Sequence, residues 1–123
     1  MKTARPWADV IENAQMWEPY INAFVSFAKP PANNLQHGSL AGLSVGIKDI
    51  IDVQGLPTRN GSDACRDAGP TAQDAPVVAA LRAAGARIIG KTTTTEFAFT
   101  DPTACRNPHD LNRSPGGSSS GSG

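Results

Sequence analysis

The stretch Asp74-Ala75-Pro76-Val77-Val78-Ala79-Ala80-Leu81-Arg82-Ala83-Ala84-Gly85-Ala86-Arg87-Ile88-Ile89-Gly90 decides the fold class. Asp74 has the identity of a helix N-cap, and Pro76 falls in the first turn, where its missing N–H loses no bond. Val77, Val78, Leu81 and Ala84 form one apolar face at helical spacing. Gly85 supplies the left-handed stop that ends many helices. Residues 86–90 follow at once as a short buried strand. Upstream, residues 43–47 (Leu43-Ser44-Val45-Gly46-Ile47) predict another short strand, with Lys48-Asp49 at or just past its end. Strand, helix and strand joined by short links predict an α/β layer with parallel neighbours.

Outward from that unit the signals are simpler. Trp7, Val10, Ile11 and Ala14 recur at helical spacing after Pro6, predicting a helix to about Met16, with Pro19 as its end. Residues 21–27 are aromatic and β-branched enough for a strand. Lys29-Pro30-Pro31-Ala32-Asn33-Asn34 is a loop by composition, Gly55-Leu56-Pro57 a turn, and residues 58–69 a polar loop. Beyond Lys91, the threonines 92–95 are placed to cap a short helix through Glu96-Phe97-Ala98-Phe99. From Thr100 onward the chain is rich in Pro, Asn, Asp, Gly and Ser and has no period.

The chain has 123 residues, a length suited to one compact core rather than two. Its 11 Lys+Arg balance 11 Asp+Glu, which removes the electrostatic footprint of a nucleic-acid or anionic-membrane binder. No apolar run approaches the roughly 20 residues that span a bilayer. The N-terminus lacks the basic, apolar and small-residue order of a signal peptide, since Asp9, Glu12 and Asn13 interrupt it. Cys65 and Cys105 stand alone, without a CxxC pair or a histidine cluster, so neither a disulfide framework nor a zinc site is expected. A cytoplasmic protein is the expectation.

Three features carry possible chemistry. Lys48 follows the apolar run Val45-Gly46-Ile47. Drawn into a pocket, a lysine there loses its preference for the ammonium form and serves as a base; left in solvent, it pairs loosely with Asp49. The second is the run Gly116-Gly117-Ser118-Ser119-Ser120-Gly121-Ser122-Gly123. Paired glycines allow close backbone approach to a ligand, and the serines offer hydroxyls for proton relay or attack. The same composition also describes a flexible linker. The third is His109 beside Asp110, but sequence neighbours rarely face each other, and a histidine in a Pro-rich loop is usually solvated. His37, Cys65 and Cys105 have no recognisable partner in sequence.

Taken in order, these features carry a resemblance. Lys48 after Val45-Gly46-Ile47, the helix opening Asp74-Ala75-Pro76, Gly85-Ala86-Arg87-Ile88-Ile89-Gly90-Lys91-Thr92, Thr95-Glu96-Phe97, Asn107-Pro108 and Pro115-Gly116-Gly117-Ser118-Ser119-Ser120-Gly121-Ser122 succeed one another with family-like gaps. From about Asn22 onward the chain resembles the amidase signature family, Ser-Ser-Lys amide hydrolases. The resemblance implies an α/β fold, namely the N-terminal part of an α/β/α architecture with a mixed, largely parallel central sheet. It implies that Lys48 is the catalytic base and that Ser118 is the relay, preceded by a cis peptide bond. Gly117 and Ser119 would then lie against the substrate. It implies a small-molecule amide substrate and neither metal nor other cofactor. No nucleic acid is expected unless the protein belongs to an amidotransferase, no membrane is involved, and a homo-oligomer of the full-length protein is left open.

The chain departs from the pattern in one respect. The resemblance implies a nucleophilic serine in a second Gly-Gly-Ser segment about two dozen residues beyond Ser118, with the oxyanion-binding backbone around it. No such segment occurs within residues 1–123. The expectation is therefore the N-terminal portion of a single amidase domain, cut inside its catalytic signature and inactive by itself. The family spans broad amidases, malonamide- and allophanate-type hydrolases, and the amidotransferase component that serves glutaminyl-tRNA formation. Thr95-Glu96-Phe97-Ala98-Phe99 and the triple serine 118–120 look more like a stand-alone amidase. A non-enzymatic α/β module with a Gly/Ser tail is the reading from another class.

Overall fold

A computed structural model describes residues 5–31 and 37–123. The expected loop at residues 29–34 therefore lies partly outside the described residues. Five elements follow one another: α1 (Trp7–Ile21), β1 (Phe24–Phe27), β2 (Ser44–Lys48), α2 (Pro76–Ala83) and β3 (Arg87–Thr92). Short 3-10 turns occupy Asp63–Cys65 and Glu96–Ala98. Residues 100–123 add only turns and one isolated bridge, Asn107 to Asp110, to this α/β frame.

The three strands form one mixed sheet in the order β1-β3-β2. β2 and β3 run parallel, as the strand–helix–strand order predicts, with Ile47 beside Lys91 and Lys48 beside Thr92. β1 joins the other side of β3 antiparallel, with Phe27 beside Gly90. β3 is thus the central strand, and all six of its residues are buried. It runs two residues past the predicted end at Gly90, because Lys91 and Thr92 keep the ladder to β2. A Cβ at Gly90 would lie 3.1 Å from the Phe27 Cα and overlap the Ser26 carbonyl, so a glycine there lets β1 approach.

One face of the β2–β3 pair is covered by α2 and the loop after β2. Ile47, Val53, Val78 and Ile88 form the core, with Val45, Ile51, Leu56, Ala75 and Leu81 packed around them. Full burial of a side chain such as Val78 contributes about 1.5–3 kcal/mol. Its neighbour Val77 faces outward and is 53% exposed, so the apolar stripe of α2 is narrower than its sequence suggests. The stop at Gly85 has φ +93, the left-handed geometry expected there.

Two local expectations need correction. Asp74 does not cap α2, whose N-cap is Ala75, without a side-chain bond. Instead Asp74 accepts from Gln54 N at 2.8 Å and pairs with Arg82 Nε at 2.8 Å, tying the loop after β2 to the helix. Nor does Pro19 end α1, which continues to Ile21 and closes on a left-handed Asn22. Proline removes the bond to the carbonyl one turn earlier, at Gln15, and crowds that carbonyl, but Gln15 is exposed to water and the helix has only two residues left to run. Ile21 consequently belongs to the helix, and the predicted strand 21–27 shortens to β1.

No residue of α1 is buried, and Met16, Trp17 and Tyr20 are exposed on it. Among the described residues no helix is long and apolar enough to cross a membrane.

Candidate active site

The parallel ladder brings the C-terminal ends of β2 and β3 side by side, and the last side chain of β2 is Lys48. Its Nζ lies 2.6 Å from Ser118 Oγ, a contact that closes 70 residues of sequence. Both side chains are half-buried. Such a distance suits an ammonium donating to the hydroxyl, or the hydroxyl donating to a neutral amine. The two residues picked out as candidate base and relay are therefore in direct contact.

The Gly/Ser run is held rather than loose. Thr95 N donates to Ser118 O at 3.0 Å, and Gly121 N donates to Thr93 O at 2.9 Å. Thr92 Oγ1 and Ser122 Oγ share a hydrogen bond of 3.0 Å. The chain thus folds back across the residues that follow β3, and this packing is incompatible with a solvated linker. Gly121 is pressed against the backbone there: a Cβ would overlap the Ala23 carbonyl and lie 2.5 Å from Thr93 N. Gly116 adopts φ +95, and the peptide bond from Gly117 to Ser118 is cis. Gly117 and Ser119 flank Ser118 at exposed positions. The Ser119 carbonyl accepts from Ser122 N at 2.9 Å and Gly123 N at 3.1 Å, which turns the segment around Ser120, buried at its centre.

The loose Lys48–Asp49 pairing does not occur. Successive residues of an extended chain point to opposite faces, so Asp49 faces away from Lys48. It meets Lys91 of β3, whose Nζ is 2.7 Å from Asp49 Oδ1, and both side chains are essentially buried. The same ammonium donates to Pro57 O at 3.1 Å and Thr58 Oγ1 at 2.9 Å, so its three protons are all used. Sequence reasoning passed over this pair. The available signal was a lysine in line with an apolar strand, which demands a buried acceptor, and a carboxylate one residue beyond the other strand.

A second polar contact lies nearby. Ser62 Oγ donates to Glu96 Oε1 at 2.6 Å and accepts from Ala64 N at 3.2 Å. A cleft of about 390 Å³, lined in part by Asp49, Arg59, Ser62, Thr94 and Glu96, opens beside it. At the same end of the sheet, beside the start of β1, Glu18 accepts the backbone N–H groups of Ala23 and Phe24, the latter at 3.0 Å. Burial raises its pKa above the ordinary carboxylate value, and these two backbone bonds oppose the shift without cancelling it.

The remaining candidates are not brought together. His109 is exposed, and its backbone N–H closes a turn on Asn107 Oδ1. Asp110 pairs with Arg113 Nε at 3.0 Å rather than with His109. His37 is exposed. Both cysteines are free, and the Cys105 thiol donates to Asn22 O. Among the described residues no three His, Cys, Asp or Glu side chains gather as metal ligands.

Comparison with known proteins places this geometry in context. The family model described as Amidase matches residues 11–123. The A-type subunit of glutamyl-tRNA(Gln) amidotransferase from Saccharolobus solfataricus is 39% identical over 127 residues, covering 91% of this chain and 26% of the relative. The crystal structure of the Thermotoga maritima protein of the same name superposes with a TM-score of 0.85 at 33% identity, over 94% of this chain and 26% of that one. The structure of 6-aminohexanoate cyclic dimer hydrolase complexed with substrate gives 0.81 at 32% identity, over 94% and 26%. The chain spans about a quarter of the length of the curated relatives it matches.

Proposed function

This chain belongs to the amidase family, and from that premise we propose that the whole protein hydrolyses a carboxylic amide C–N bond through a Ser-Ser-Lys triad. Lys48 is the base and Ser118 the relay; Gly117 and Ser119 lie along the substrate. Residues 1–123 form the N-terminal portion of a single amidase domain, and a later segment supplies the nucleophilic serine with its oxyanion-binding backbone. The observation that carries this reading is the 2.6 Å contact between Lys48 Nζ and Ser118 Oγ.

The chemistry follows from that contact. A neutral Lys48 amine takes the proton of Ser118 Oγ, which takes one from the nucleophilic serine as that oxygen attacks the amide carbon. The tetrahedral intermediate collapses as the C–N bond breaks, and the departing amine receives the proton that Lys48 held, again through Ser118. Water then attacks the acyl ester, giving its proton to the same pair; the ester C–O bond breaks, the nucleophilic serine takes that proton back through Ser118, and the acid leaves. A serine between base and nucleophile lets a lysine fixed at a strand end act on an atom beyond its own reach.

On this reading the protein is cytoplasmic and its substrate is a small-molecule amide. A second reading, an amidotransferase A-type subunit producing ammonia for glutaminyl-tRNA formation, is favoured by the names of the relatives at 39% and 33% identity. It would bring a tRNA and partner subunits. The test is ammonia release from simple aliphatic and aryl amides by the full-length protein, with Lys48→Ala as the control. Activity abolished by that substitution supports the amidase. Release from glutamine alone, dependent on added partner proteins, favours the amidotransferase. No hydrolysis of any amide overturns both.

A further inference from the structure

We propose that the buried Asp49–Lys91 ion pair is a positioning device that fixes the Lys48 amine against Ser118; this rests on the amidase reading above. A buried ion pair is weak evidence for stability, because the cost of removing two charges from water offsets their attraction. Its value must therefore be sought in the geometry it enforces, and here the pair sits at a junction of backbone contacts. Asp49 directly follows Lys48, and its N–H donates to Thr92 O at 3.0 Å, extending the β2–β3 ladder by one step. Its Oδ2 accepts from Arg59 N at 3.3 Å, and its carbonyl accepts from Asn60 N at 2.9 Å. Lys91 grips the same loop from the other side through Pro57 O and Thr58 Oγ1.

From this loop the contacts return to the candidate relay. Asn60 O accepts from Phe97 N at 2.8 Å, and Thr95, two residues earlier, donates its N–H to Ser118 O at 3.0 Å. Ser118 Oγ then meets Lys48 Nζ. The contacts close a ring: Lys48, Asp49, Asn60, Phe97, Thr95, Ser118 and Lys48 again. Every link but one is a backbone hydrogen bond or the chain itself, and the exception is the lysine–serine contact. The ion pair clamps the ring where the strand end meets the loop 57–60. Lys91 touches neither reacting atom; it acts through Asp49 and the loop, so it is a positioning residue and not a catalytic one.

The test uses the full-length protein with Asp49→Asn and Lys91→Met combined, so that no buried charge is left unpaired. The melting temperature, kcat, KM and a crystal structure are measured. The expected double variant folds, keeps KM within about twofold and loses about 10²-fold in kcat, the scale of a 1 Å misplacement. Its Lys48 Nζ to Ser118 Oγ distance opens beyond hydrogen-bond reach. A folded double variant with wild-type kcat and the contact intact overturns the proposal. Should the double variant not fold, Thr58→Val removes a single acceptor of Lys91. There a several-fold fall in kcat with unchanged KM supports the proposal, and unchanged kcat overturns it. If the wild-type protein hydrolyses no amide, the amidase reading fails, and the crystallographic distance in the same variants still decides whether the ion pair sets the contact.

Discussion

If Lys48 and Ser118 act in series on one proton, removing either should cost as much as removing both. The perturbation is a double-mutant cycle in the full-length protein: Lys48→Met, Ser118→Ala and the two together. Lys48→Met keeps most of the side-chain volume and deletes the amine; Ser118→Ala deletes the oxygen 2.6 Å from it. A positioned general base typically contributes about 10²–10⁴-fold in rate, so each single variant should lose about 10³-fold in kcat, or about 4 kcal/mol. Independent contributions would multiply to about 10⁶-fold in the double variant. The serial relay instead predicts about 10³-fold again, because the second deletion removes a partner that has already lost its function. The coupling energy is then about 4 kcal/mol, against the roughly 1 kcal/mol a single hydrogen bond contributes to stability. That gap separates catalytic from structural coupling. The assay is the initial rate of ammonia release over a range of substrate concentrations, with circular dichroism to confirm folding. A double variant with losses near the product of the singles would refute the relay, as would a Lys48→Met variant with wild-type kcat.

The 123-residue chain expressed by itself should release no ammonia from simple amides, and hydrolysis abolished by Lys48→Ala would contradict the placement of the nucleophile in a later segment. Gly121→Ala should unseat the Gly/Ser run, since the added Cβ overlaps the Ala23 carbonyl; in the full-length protein kcat should fall by at least about 10²-fold, and retained activity would show that the segment docks otherwise. Glu18 binds its proton more tightly in the folded than in the unfolded chain, so its contribution to stability is fully present below the ordinary value of 4.5 and is lost as pH rises through the raised folded pKa. Glu18→Gln should flatten the pH dependence of the melting temperature between that value and neutrality, and an unchanged profile would remove Glu18 as its source.

The α/β unit was legible because its signals are local. The apolar face of α2, the glycine at 85 and the β-branched run that follows each act within a turn or two. The ends of the elements were less legible, because they depend on what packs against them. Asp74 has the right identity for a cap, yet Gln54 N and Arg82 draw its oxygens away. Pro19 has the right identity for a stop, yet the carbonyl it leaves unpaired belongs to an exposed residue that water can satisfy. Composition alone describes the Gly/Ser run more readily as a flexible linker than as a site. What decides it is the close approach at Gly121 and the bonds to Thr92, Thr93 and Thr95, none of them visible in the run itself.

Lys48 and Lys91 show why residue type could not separate roles at this site. Each is a lysine near the end of a strand in one parallel ladder, and the register offsets them by a single step. That step reverses the face. Lys91 turns into a cage of three acceptors, including a carboxylate, where all of its protons are engaged and it holds backbone in place. Lys48 turns toward the Ser118 hydroxyl and, among the described residues, makes no ion pair. Asp49 enforces the division, because it takes the charge of Lys91 and stays on the face away from Lys48. The lysine proposed as the base therefore sits one residue from a buried carboxylate, and the two-residue period of the extended chain keeps them apart.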